Sequence, residues 1–179
     1  MRLSDSRYES IKKDVATLYQ KYNIKSLPIN PFVLCEKMNI KLVKYSDLTI
    51  EERNRLISLQ PDGFKDEHEN GTVIFYNDMQ HPSKIKFTLL HEIGHIVRGH
   101  KEFSPLAESE AEWFAAYAIA PPPVVNLFEI SDFTDIMEIF DTTFNCAWHS
   151  MSRYLNWKRF ARKDTEYDII LRNLFSSNA

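Results

Sequence analysis

Cysteine is scarce in this chain. Cys35 and Cys146 are the only two in 179 residues, far apart and without CxxC spacing. That pattern excludes a disulfide framework or a cysteine zinc clip and suits core thiols in a reducing cytoplasm. Neither sign of charge predominates. With 22 Lys and Arg against 25 Asp and Glu, the net charge is −3 and the pI about 6.1, so nothing draws the chain generally to nucleic acid or to an anionic membrane surface. Long apolar runs are missing too. The longest, WFAAYAIA at 113–120, is far too short to cross a bilayer, and the opening MRLSDSRYESIKKD lacks the apolar centre of a secretory signal, so a cytoplasmic location is expected. Four glycines and eight prolines, with no repeat or low-complexity segment, leave an ordinary composition of 44% hydrophobic and 26% charged residues. A chain of this length suits one domain with its own core.

What is present is a run of punctuated elements. Tyr8, Ile11, Val15, Leu18 and Tyr22 recur at 3-4 spacing and predict a helix from about 6 to 22. Pro31 suits a first helical position, and PFVLCEKMN predicts a short helix to about Asn39. IKLVKY alternates and predicts a strand; LTIEERNRLISL carries a Thr cap with glutamates in its first turn and predicts a helix. Asn70-Gly71 ahead of TVIFY predicts a hairpin with strands near 63–68 and 72–76. HPSKIKFTLLHEIGHIVRG predicts a helix from Pro82 to a stop at Gly99, and SPLAESEAEWFAAYAIAPPP a second one closed by its prolines. Further helices are expected near 122–129, 132–141, 144–162 and 165–174.

His91, Glu92 and His95 spell H-E-x-x-H inside the first of those two helices. Residues four apart share a helical face, so both imidazoles can reach one ion, while Glu92, a step around, can hydrogen-bond a water bound there. Five letters arise by chance in roughly one chain in a hundred. The flanks add weight: Phe87, Leu89, Leu90, Ile93, Ile96 and Val97 are apolar, and Gly94 costs about 1 kcal/mol of helix stability unless another backbone comes close. A catalytic zinc needs a third protein ligand. His100 fails the H-E-x-x-H-x-x-G-x-x-H spacing. ESEAEWFAA places Glu108, Ala111, Glu112 and Ala115 on one face, small enough for tight packing on the H-E-x-x-H helix. Glu108 is therefore the first candidate for the third ligand and Glu110, expected to be solvated, the alternative; Glu112 is a candidate to orient a ligand histidine.

VIFYNDMQHPSKIKFTLLHEIGHIVRGH followed by ESEAEWFAAYAIAP resembles the ImmA/IrrE family of zinc metallopeptidases. The likeness extends to LPINPFVLCEKMNIKLVKY and FDTTFNCAWHSMSRYL, roughly residues 12 to 160. It implies zinc ligands at His91, His95 and Glu108, with Glu92 as catalytic base. Glu112 stands where the family usually has Asn or Asp, and AAYAIAPPP replaces a leucine-rich stretch. The resemblance further implies a cytoplasmic protein, often of phages or mobile elements, whose protein substrate is a helix-turn-helix transcriptional repressor. Direct nucleic-acid or membrane binding is not expected. The alternative is a regulatory protein that binds a repressor or antitoxin-like partner without hydrolysing it; an intact Glu92 favours the enzyme.

The expected fold is α+β and zincin-like: a small antiparallel sheet with the active-site helix, then a helical part. One metallopeptidase domain is expected over 1–179, with the N-terminal helices, sheet and H-E-x-x-H and E-x-x-x-E helices in 1–120 and a helical subdomain in 121–179. Tyr76, Tyr117, His149 and Arg153 are candidate oxyanion donors by residue type, each more often structural. His68 and His81 are expected in solvent. The basic run RYLNWKRFARK (153–163) is expected to be a solvated face burying Tyr154, Leu155 and Trp157.

Overall fold

The elements follow the chain's local punctuation. The computed structural model describes residues 2–69, 71–160 and 163–178. Helix α1 (Asp5–Lys21) buries Ile11, Val15, Leu18 and Tyr19 along its apolar stripe. In α2 (Pro31–Lys37) the Asn30 side chain accepts from the Phe32 and Val33 amides, with Pro31 at the first turn where no amide is needed. After β1 (Lys41–Lys44), α3 (Ile50–Leu59) opens on a reciprocal cap between Thr49 and Glu52. The hairpin strands are β2 (Gly63–His68) and β3 (Gly71–Tyr76); Asn70, half of its turn signal, lies outside the described residues.

The sheet is mixed, which corrects the expectation of an antiparallel one. Its order is β1-β3-β2: β3 pairs antiparallel with β2 and parallel with β1, with Lys41 opposite Val73 and Lys44 opposite Tyr76. The long connection through α3 carries β2 to the far edge, and the hairpin returns β3 into the gap between. That puts TVIFY, the most apolar strand, at the centre with Ile74 and Tyr76 buried, and leaves the polar β2 as an edge.

Against this sheet lies α4 (Pro82–Val97), which buries Leu89, Leu90 and Ile93 and ends before Gly99, whose φ of +67° is the left-handed stop a glycine permits. Ser104 caps α5 (Pro105–Ile119), and Ala111 and Ala115 are fully buried where this helix meets α4. A Cβ on Gly94 would stand 3.1 Å from the Phe114 ring. The close approach inferred at Gly94 is therefore real, but a side chain rather than a backbone makes it. Full burial of Phe114 contributes about 2–3 kcal/mol.

The rest is helical: α6 (Pro122–Leu127), α7 (Phe133–Phe140), α8 (Phe144–Phe160) and α9 (Glu166–Phe175). One apolar cluster runs from Leu3 and Ile11 through Ile74, Leu90 and Phe114 to Leu171 and Phe175. On α8 Tyr154 is buried, whereas Leu155 is 54% exposed, contrary to expectation, because it falls on the outward side of that helix. Residues 161 and 162 of the basic run lie outside the described residues. Among the described residues no helix is long and apolar enough to cross a membrane.

Candidate metal centre

Five consecutive helical positions on α4, residues 91–95, set the chemistry. His91 and His95, one turn apart, bring their Nε2 atoms to 3.0 Å. Glu108 comes from the first turn of α5, and its two carboxylate oxygens stand 3.4 Å from His91 Nε2 and 3.3 Å from His95 Nε2. Donor atoms of all three residues lie within 4.8 Å of one another. Three lone-pair-bearing groups crowded to this spacing repel unless a cation, or a proton, sits among them. Two imidazoles and one carboxylate form a borderline donor set suited to a divalent transition metal. The residues present fit such an ion.

Burial keeps both rings neutral, the form that binds metal. It pulls His91 below the usual histidine range, against the opposing charge of Glu108. It takes His95 down to about 3, helped by the neighbouring His91 and His100.

Which nitrogen of His95 faces the other donors is decided behind it. His95 Nδ1 lies 3.0 Å from His100 Nδ1, and His100 Nε2 lies 2.9 Å from Glu110 Oε2. An ionised carboxylate only accepts, so His100 Nε2 carries the proton and donates to it. His100 Nδ1 is then an acceptor, His95 Nδ1 must donate to it, and His95 Nε2 is left with its lone pair toward His91 and Glu108. The chain of hydrogen bonds sets the tautomer. Glu110 is held in turn by Arg7 and by Arg98, whose Nη2 is 3.1 Å away; Arg98 also bonds Asp14 at 2.6 Å and Ser10 at 2.7 Å.

Glu110 is therefore 3% exposed, not solvated as expected, because three donors replace its water. Burial alone would push its carboxyl up, and the bonds from His100, Arg7 and Arg98 outweigh that and hold it below the usual carboxylate range. The orienting part expected of Glu112 falls instead to His100 and Glu110. Glu112 is exposed at the cleft rim and makes no hydrogen bond among the described residues, although its charge reaches His91.

Glu92 sits on the other side of the pair. It is 7% exposed, and its Oε2 accepts the Lys65 amide of β2 at 3.0 Å. Burial pushes its carboxyl up to about 7; the Lys65 N–H works against this and the charge of Glu108 adds to it. A carboxyl poised there can accept a proton at neutral pH and give it back.

His91, Glu92, His95, His100, Glu108 and Glu112 border one cleft of about 470 Å³ that is also lined by β2 from Gly63 to Lys65. Tyr76, Tyr117, His149 and Arg153 do not border it. Tyr76 packs edge-on against Phe32, Tyr117 on α5 and Arg153 on α8 border a separate cavity, and His149 is exposed on α8. Cleft residues that the sequence had not marked are Lys65, Lys84 and Lys101, each paired with a carboxylate of Asp62 or Glu67. His81 caps α4 and His68 pairs with Asp66 at 2.9 Å on the exposed end of β2.

A family model described as the IrrE N-terminal-like domain of the peptidase M78 family matches residues 35–127, just over half of the chain. The chain belongs to the peptidase M78 family. The matched span begins at Cys35 in α2, takes in the whole sheet with α4 and α5, and ends with α6. Membership in M78 points to a metallopeptidase type of function and so to a protein substrate. No curated protein matches the chain.

Proposed function

We propose that this M78 protein is a zinc-dependent endopeptidase in which His91, His95 and Glu108 hold the metal and Glu92 is the catalytic base. The observation that carries the reading is the convergence of those three side chains beside a buried carboxyl whose pKa lies near neutrality. Bound there, zinc supplies Lewis acidity, lowering the pKa of water and polarising a carbonyl.

The protein's own groups do the rest. An extended substrate lies along the outer edge of β2, where unpaired backbone groups offer strand-like hydrogen bonds and the cleft gives room. The Lys65 amide holds one oxygen of Glu92, which keeps the carboxylate directed at the space between β2 and α4. Glu92 removes a proton from the attacking water and then delivers it to the departing amine nitrogen; a carboxyl titrating at about 7 serves both steps. His100 and Glu110 keep the lone pair of His95 turned inward throughout.

The substrate is a helix-turn-helix transcriptional repressor, of the kind found on phages and mobile elements. That part of the reading is supported by the family resemblance of the H-E-x-x-H and E-x-E-A segments. The test is to identify a helix-turn-helix protein encoded beside this chain's gene and incubate it with the purified chain. Cleavage at a defined bond, stopped by a chelator and restored by zinc, is expected. A repressor left intact under all conditions, with zinc bound, contradicts the substrate assignment.

A further inference from the structure

Helix α8 carries an apolar row on its outer side. Phe144, Trp148, Met151 and Leu155 recur at 4-3-4 spacing, so they share one side of the helix, the spacing at which two packed helices meet. Phe144 and Trp148 are each 53% exposed and Leu155 continues their line, while Ala147, Ser150 and Tyr154 seat the helix in the fold. Single apolar side chains are ordinary on a surface; a continuous row of large ones is not. This row is also held in place. Phe144 and Trp148 stack at 12° with ring centroids 6.3 Å apart, and Phe133 of α7 meets both edge-on at 5.1 and 5.7 Å. Side chains already ordered lose little freedom when something covers them. Beside Met151 and Leu155 lies a cavity of about 490 Å³, also bordered by Ile130 and Tyr154.

The charges at the two ends of the row are of opposite sign. No Lys or Arg occurs between Lys101 and Arg153, and α7 leads into the Phe144 end through Glu138 and Asp141, both exposed. The Leu155 end runs into Lys158 and Arg159, also exposed. Asp141 holds Lys86 at 2.6 Å and still keeps most of its side chain in water. Lys158 and Arg159 lie over the Tyr154 and Phe160 rings. Glu138, Lys158 and Arg159 make no ion pair among the described residues. An anionic partner is repelled at one end of the row and a cationic partner at the other. What fits is an apolar helix face whose charges run in the reverse order.

We propose that this face pairs with itself: two copies of the chain associate through α8, antiparallel about a two-fold axis near residues 149–150. A two-fold axis turns the row end for end, so the second copy supplies the reversed order of charges by symmetry. Phe144 of each copy meets Leu155 of the other, where the cavity leaves room for the ring, and Trp148 and Met151 meet at the centre. Lys158 and Arg159 of each copy face Glu138 and Asp141 of the other. The contact is small. Four half-exposed side chains make a centre of roughly 400 Å² per copy, and the charged rim brings it to the low end for a specific dimer, so a dissociation constant in the micromolar range is expected. The row shares no residue with the metal cleft.

The experiment is sedimentation equilibrium of the full chain at low salt, from about 1 to 300 μM. A reversible equilibrium between monomer and dimer is expected. Trp148→Glu weakens it at least about thirtyfold, with the far-ultraviolet circular dichroism of the chain unchanged because the ring is half in solvent. Lys158→Glu weakens it about tenfold, since the substitution acts twice across the axis, and adding Glu138→Lys to the same chain recovers part of the loss. The proposal is overturned by a chain that stays monomeric over the whole range, by a dimer indifferent to Trp148→Glu, or by a Lys158→Glu loss that Glu138→Lys does not mend. Self-association is read without metal or substrate, so its failure leaves the peptidase reading standing, and the converse holds.

Discussion

Two carboxylates flank the paired histidines, both almost wholly withdrawn from water, and they behave in opposite ways. Glu92, at the cleft, has one amide donor and is pushed up to about 7; Glu110, behind His100, has donors from three side chains and is held below the usual range. Burial acts in the same direction on both. What separates them is the number and charge of the donors facing each one. A carboxyl with too few partners is a proton carrier, and one saturated by cations is a fixed anion that anchors structure.

The difference makes distinct expectations for the same substitution. Glu92→Gln lowers kcat on a cleaved substrate by about 10²–10⁴-fold while leaving metal content intact; a Gln variant that cuts at the parental rate breaks the comparison from one side. Glu110→Gln leaves Arg98 and His100 facing a neutral amide and destabilises the chain by about 3 kcal/mol, a fall of roughly 6–12 °C in thermal midpoint. A loss under about 1 kcal/mol in urea unfolding breaks it from the other. Next in size is His100→Ala, which frees the tautomer of His95 and weakens zinc binding about 10–100-fold in a competitive chelator titration.

The pH dependence of the metal-free protein sharpens the contrast. Glu92 keeps its proton in the folded chain up to about 7, whereas an unfolded chain releases it near 4.5, so folding stability falls as pH rises through that interval. Glu110 is the reverse. Its contribution is complete above the ordinary glutamate range and is lost as pH falls through its lowered folded value. Glu92→Gln therefore flattens the stability curve between about 4.5 and 7 and spares the acid limb, and Glu110→Gln does the opposite, as equilibrium unfolding across pH will read. The smallest expected effect is that of Gly94→Ala: the added methyl meets Phe114 at 3.1 Å and costs about 1–2 kcal/mol, partly offset by better helix propensity.

Much of this could be read in advance where the signal is local. Helix starts at Pro31, Thr49, Pro82 and Pro105, and the stop at Gly99, are chemistry of a few adjacent residues, and they fall where the spacing puts them. The i, i+4 histidines and the Ala111 and Ala115 face are equally local, which is why Glu108 could be chosen ahead of Glu110 and is the one that meets the histidines in the fold. Distant pairings were not legible. The parallel match of β1 with β3 depends on where a long connection sets the hairpin down. Glu110 reads as one more exposed glutamate until Arg7, 103 residues away, folds over it. His100 failed as a ligand by spacing, and nothing nearby marks it as the group that orients His95. At Gly94 the need for space was visible, though not that an aromatic ring fills it.

The most direct test is an anomalous difference map at the zinc edge from crystals grown with zinc. One peak is expected about 2.0–2.2 Å from His91 Nε2, His95 Nε2 and a Glu108 oxygen. Crystals with no peak there, or with the metal held by Glu110 in place of Glu108, would contradict the account.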